Sequence, residues 1–136
     1  MSMSLAQQLA AESIAAVAKG RNLQDVLAAI RAAHPELTAQ ELGALQDIAY
    51  GCQRYLGSLK YMLAQILKKP IGNPQLESLL LAAMYQLHYT RNAPHAVVNE
   101  AVESIAKIGR GQFRSFANAI LRRFLREANA DRKSVV

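Results

Sequence analysis

The residues best equipped for chemistry in this 136-residue chain are few and scattered. Glu100 and Glu103 lie three positions apart in a helical stretch, a spacing that puts two carboxylates on one face and could serve as an acid/base pair. Exposed surface carboxylates are the better reading of the pair. His88 and His95 flank a loop, but no carboxylate or thiolate cluster lies near enough in the chain to complete a metal site with them. They read as capping, packing or backbone-bonding histidines. Cys52 is the single cysteine, which excludes a disulfide framework and a cysteine-based zinc site and suits a reducing, cytoplasmic setting. It falls on an apolar seam, where a thiol packs as a small hydrophobe. The chain has no glycine-rich dinucleotide turn, no phosphate-cradling Lys-Ser/Thr loop, no His-Glu-x-x-His pair and no Gly-x-Ser-x-Gly elbow. The chain alone therefore reads as non-catalytic, with no cofactor or metal of its own.

The cations give a stronger signal. Residues 1–106 hold eight bases and eight acids, whereas residues 107–136 hold eight bases against Glu127 and Asp131, so the whole net charge of +6 arises in the last thirty residues. Such asymmetry suits a polyanionic partner, nucleic acid or an anionic surface, and equally a solvated basic helix. Arg122 and Arg126 are one helical turn apart with Arg123 adjacent, and Arg110 and Arg114 precede them across a Gly-Arg-Gly turn. Guanidinium forks match phosphate geometry, so these five, with Arg91 and His95 beside the preceding loop, are the candidate nucleic-acid backbone contacts. Competing structural roles exist for two: Arg91 could cap a helix C-terminus, and Arg122 could pair with Glu100 or Glu103. A membrane partner is not expected, because the apolar stripe of the last helix is needed by the core.

The elements that must position these groups are all helical. Period-two alternation is nowhere sustained, and spacings of three and four recur throughout. A first helix is expected over about Ser4 to Lys19, with Leu5, Leu9, Ile14 and Val17 inward and Gly20 as its stop. A second spans about Gln24 to Ala33. Thr38 and Glu41 then have the spacing of a capping box. From Leu42 to Ile66 apolar residues follow at alternating steps of three and four. The run lasts little over three heptads and Gly57 interrupts it, so it reads as one bent helix or two in tandem within a bundle, rather than a coiled coil. After a Pro70–Pro74 connector comes a helix over about Gln75 to Tyr89 that is apolar on nearly every side and must be surrounded; Gln86, His88 and Arg91 near its end are the exceptions. Pro94 opens a sixth helix, and the last is expected from Gln112 to about Ala128, with Phe113, Phe116, Ala117, Ile120, Leu121, Phe124 and Leu125 inward. With its phenylalanines turned inward, that helix would recognise backbone and shape rather than stack on bases. The fold class is all-α, about seven helices in two packed subdomains, over residues 1–128. Residues 129–136 read as a polar tail or the start of a linker.

Several segments carry a family resemblance. Tyr85-Gln86-Leu87, Tyr89-Thr90-Arg91, Ala93-Pro94-His95-Ala96, Val98-Asn99-Glu100-Ala101-Val102-Glu103 and Phe116-Ala117-Asn118-Ala119-Ile120-Leu121-Arg122-Arg123-Phe124 resemble the NusB-like helical domain. More narrowly the chain is similar to the N-terminal NusB-like domain of the RsmB (Fmu/Sun) family of small-subunit ribosomal RNA cytosine-5 methyltransferases. Tyr50-Gly51-Cys52-Gln53-Arg54, Leu59 and Lys69-Pro70 fit the same family's middle helices, and the resemblance covers roughly residues 5–127. Two positions favour this family over the free-standing antitermination factors of the NusB type: Gln86, where those usually carry glutamate, and Arg122, where they usually carry aspartate. Those factors also tend to have an arginine-rich first helix, whereas residues 1–18 here contain neither arginine nor lysine.

The resemblance implies an RNA-binding domain that helps position structured ribosomal RNA for an attached methyltransferase domain. That domain would bind S-adenosylmethionine and supply the catalytic cysteines; Cys52 has no Pro-Cys context and matches neither. The alternative is a stand-alone NusB-like transcription antitermination factor working with RNA and a ribosomal protein.

Overall fold

The computed structural model describes the backbone of residues 3–134 and the side chains of residues 4–128. Seven helices follow in order: α1 (Met3–Ala18), α2 (Leu23–Ala33), α3 (Ala39–Arg54), α4 (Leu56–Ile66), α5 (Pro74–Tyr89), α6 (Pro94–Ala106) and α7 (Arg114–Ser134). Their starts follow local chemistry. The Asn22 side chain accepts from the Asp25 amide, and the Asn73 side chain from the Leu76 amide with Pro74 opening α5. Thr38 and Glu41 form the expected capping box: each side chain accepts the other's backbone N–H at 3.0 Å.

Helix α5 is the axis of the molecule. Every residue from Leu79 to Leu87 is buried, as its lack of a polar face requires. It packs against α1, α3, α4, α6 and α7, and α1 also reaches α2, α3 and α6. The two halves of the bundle therefore share one continuous apolar core.

Three features depart from the sequence-based expectation. The long heptad-like run is two helices, but the break falls at Tyr55 (φ −109, ψ 18) rather than at Gly57, which lies in the first turn of α4. Tyr55 stacks on Tyr89 with ring centroids 3.9 Å apart and planes 8° from parallel, and Tyr85 continues the stack at 5.9 Å from Tyr89. The bend thus coincides with an aromatic packing site. Helix α7 begins at Arg114 rather than Gln112, because Gly109 and Gly111 hold positive φ (66° and 81°) and keep the chain in turns. At its other end α7 continues to Ser134, past the expected end at Ala128.

The α3–α5 approach needs a glycine. A Cβ on Gly51 would sit 2.1 Å from the Tyr85 ring, well inside any van der Waals contact. The Tyr85 hydroxyl donates to Asp47 Oδ1 at 2.8 Å, which tethers the ring across the glycine surface.

Candidate nucleic-acid interface

The two carboxylates that could have formed an acid/base pair have separate structural duties. Glu103 is exposed and accepts from Arg114 Nη1 at 2.7 Å. Glu100 is half-buried and accepts the Ser4 backbone N–H at the start of α1; loss of water there raises its carboxyl above the ordinary value, opposed by that hydrogen bond. The Cys52 thiol is buried on α3 and directed at the Leu81 carbonyl oxygen 3.7 Å away. Burial pushes it up to about 12, with the Asp47 charge adding to the effect. A thiol held protonated in this way is not a nucleophile at neutral pH.

The arginines of α7 do not form one cluster. At about 100° per residue, Arg122 and Arg126 lie roughly 40° apart around the helix, whereas Arg123 is turned roughly 100° from Arg122. Arg114 and Arg126 are separated by about 18 Å along the axis at 1.5 Å per residue. Arg114 is turned roughly 80° from Arg122 to the other side, so Arg122 and Arg126 share one face of α7 while Arg114 and Arg123 flank it.

Both flanking arginines are committed elsewhere. Arg123 Nε donates to Glu127 Oε1 at 3.0 Å and Nη1 reaches the Ile66 carbonyl at 3.4 Å, so this guanidinium closes the C-terminus of α4. Arg114 is held by Glu103. Arg122 donates through Nε to Asn118 Oδ1 at 3.1 Å, one turn back on its own helix, and pairs with neither Glu100 nor Glu103. This bond orients the fork outward and leaves Arg122 with no carboxylate partner among the described residues. Arg126 is exposed beside it, also with no ion pair there.

Arg91 and His95 stand at the α5–α6 turn. The Thr90 hydroxyl donates to the Gln86 carbonyl and accepts from the Asn92 amide at 3.2 Å, so Thr90 caps α5 and pins the turn that displays Arg91. Among the described residues Arg91 makes no capping bond. The turn adjoins the C-terminal half of α7, where the His88 ring lies 5.9 Å from Phe124. Arg91 and His95, both exposed, thus lie near the C-terminal half of α7, and Arg110 lies in the α6–α7 turn before its start.

One residue of α7 points differently from the sequence-based expectation. Phe116 is 39% exposed and lines an open, mostly apolar groove of about 900 Å³ with Phe113, Ile120 and the α4–α5 connector, where Lys68 and Lys69 form the rim. The periodicity placed Phe116 inward, but the first turn of α7 lies at the edge of the bundle and leaves the ring exposed. Nothing in the linear sequence linked Lys68 and Lys69 to this face, because the contact joins elements far apart in the chain.

Among the described residues no three His, Cys, Asp or Glu side chains come together, and no helix is long and apolar enough to cross a membrane. The class is thus an all-helical bundle whose outward chemistry is cationic, displayed chiefly by its last helix. The chain belongs to the NusB family, whose family model matches residues 4–126.

Its relatives narrow the comparison. The ribosomal RNA small subunit methyltransferase B of Sodalis glossinidius is 33% identical over 135 residues, covering 93% of this chain and 30% of the relative. The protein of the same name from Pectobacterium carotovorum is 34% identical over 120 residues (85% and 28%), and that from Pasteurella multocida 39% over 94 residues (68% and 21%). The chain therefore spans at most about 30% of the length of these relatives, corresponding to their N-terminal NusB-like domain.

Proposed function

We propose that this domain binds structured ribosomal RNA and helps position it for S-adenosylmethionine-dependent cytosine-5 methylation by an attached catalytic domain. The observation that carries the reading is the Arg122–Arg126 stripe: two exposed guanidinium groups one turn apart, oriented outward, with no carboxylate between them among the described residues. Phosphates one nucleotide apart on an RNA backbone suit such a spacing, and arginine forks engage them bidentately. Arg110 before the start of α7, and Arg91 and His95 near its C-terminal half, would add further contacts. The similarity to part of the small subunit methyltransferases supports ribosomal RNA as the polyanion and the methyltransferase as the attached partner. S-Adenosylmethionine would belong to that other domain; this chain contributes electrostatic attachment and register.

The test is a salt titration of binding to small-subunit ribosomal RNA fragments. Phosphate contacts predict an affinity that falls linearly on a log–log plot against salt, and the double variant R122A/R126A should flatten the slope by about two. A salt-independent association, or none, would overturn the reading.

A further inference from the structure

We infer that the tyrosine ladder at the α3–α4 bend is a stacking platform for an unpaired base of RNA. The inference rests on the RNA-binding reading above and adds a contact of a different kind. Tyr85 and Tyr89 are four positions apart on α5 and share a face, and the bend at Tyr55 lays a third ring against them. The Tyr55 and Tyr89 rings are 3.9 Å apart and 8° from parallel, and Tyr85 lies beside both, at 6.4 Å and 5.9 Å. Tyr85 is buried and its hydroxyl is tied to Asp47, whereas Tyr55 and Tyr89 are half-buried. Arg54, the exposed last residue of α3, holds its guanidinium over the Tyr55 ring, 5.5 Å from the centroid. Tyr89 covers one face of that ring, so the mobile arginine is left to the other.

Such a ring suits a splayed base, because every base has a π-face and stacks on aromatic rings and guanidinium planes alike. A base taking the place over Tyr55 frees Arg54 to pair with its phosphate. Little negative charge opposes this. Among residues 48–99 the only acid is Glu77, in the first turn of α5 and so at the far end of that helix from Tyr89. Arg91, exposed, follows Tyr89 by two positions in the turn that Thr90 pins. The His88 ring stands edge-on to Tyr89 at 4.6 Å and 5.9 Å from Phe124, so the ladder adjoins the helix that carries Arg122 and Arg126. The stacking surface thus comes from α3 and α5 rather than from the phenylalanines of α7.

The probe is a short single-stranded oligoribonucleotide of small-subunit ribosomal RNA sequence, compared with the same strand carrying abasic sites. The abasic strand keeps every phosphate and loses only bases. Phosphate contacts alone treat the two alike, whereas stacking predicts that the full chain binds the intact strand roughly fivefold to a hundredfold more tightly. Y55L should abolish that ratio without changing the salt slope, and Y55F, which keeps the ring, should retain it. The Tm of each variant is measured alongside, because a ladder that only packs would lower the Tm of Y55L and leave the ratio untouched. Equal wild-type affinity for both strands, or a ratio that survives in folded Y55L, would overturn the platform and leave the α7 reading intact. No binding of either strand by the wild-type chain would overturn both. Should Y55L fail to fold, fluorine NMR of the wild-type chain labelled with fluorotyrosine decides. A Tyr55 signal, identified by its loss in Y55F, that moves with the intact strand and not with the abasic one supports the platform. A signal that responds alike to both rejects it.

Discussion

Gln7 on α1 and Gln86 on α5, 79 positions apart, face each other in the core: Gln7 Nε2 donates to Gln86 Oε1 at 2.8 Å with both side chains essentially inaccessible to water. The second proton of Gln7 is directed at the Val97 carbonyl at 3.4 Å, so one amide ties α1 to α5 and α6. A neutral partner at position 86 suits this burial, because a carboxylate there would be desolvated beside a single donor.

The first prediction follows from that pair. Q86E should destabilise the domain by about 2–4 kcal/mol at pH 8, since burial penalises the charged form. The introduced carboxyl takes a raised pKa in the folded state, so its cost shrinks as pH falls toward the unfolded value near 4.3. Urea unfolding at pH 8 and pH 5 would show the gap to wild type narrowing at the lower pH; an equal gap would contradict the burial argument. Q7A, which orphans Gln86, should cost about 1–3 kcal/mol.

G51A should be among the most damaging small substitutions in the chain. Its methyl group meets the Tyr85 ring, which Asp47 and the tyrosine stack hold in place, so the expected loss is about 1–3 kcal/mol or more. Adding Y85A to G51A should recover part of the loss, measured as a non-additive double-mutant cycle. Simple additivity would mean that the two positions do not collide.

Cys52 should resist thiol reagents in the native state. With its thiol pushed up to about 12 and its sulfur buried, labelling at pH 8 should proceed only at the rate at which the fold opens. Stopped labelling with a chromogenic disulfide, with and without denaturant, reads this directly. Rapid native labelling would refute the packing assignment.

Glu100 provides a pH test of opposite sign to a salt-bridged carboxylate. Its folded value is raised, chiefly by loss of water, so the folded state binds the extra proton. Its contribution to stability is therefore greatest below the ordinary carboxylate value and falls as pH rises through the raised one. E100Q should flatten this part of the stability–pH curve, and NMR titration of the wild-type carboxyl should give a midpoint above 4.5.

Arg123 and Arg114 separate structural from binding arginines. R123A removes the closure of α4 and should lower stability by about 0.3–1 kcal/mol, with less effect on RNA affinity than R122A. E103Q releases Arg114 from its exposed pair and should steepen the salt dependence of RNA binding by up to about one unit. Equal effects of R122A and R123A on binding would show that the α4 contact is given up when RNA arrives.

Much of this architecture could be read from residue order because it is locally written. The Thr38–Glu41 box, the proline that opens α6 and the unbroken apolar surface of α5 each declare themselves within one helix. The sites that escaped sequence reading depend on contacts between distant elements. Gly51 gives no sign of needing Tyr85 against it, and Gln7 gives none of facing Gln86. Phe116 has the spacing of a buried residue, yet only the position of α7 at the bundle edge exposes it. The arginines were found as a composition, whereas their division into an outward pair, an ion pair and a helix clasp required knowing where α4 and α6 end.

The central position of α5 also determines how the domain comes apart. Since both halves of the bundle lean on the same helix, neither can lose it and keep a core of its own. Melting should then pass through one cooperative step, with the amides of α5 the last to exchange. A polypeptide cut in the Pro70–Pro74 connector should yield two pieces that fold only on each other.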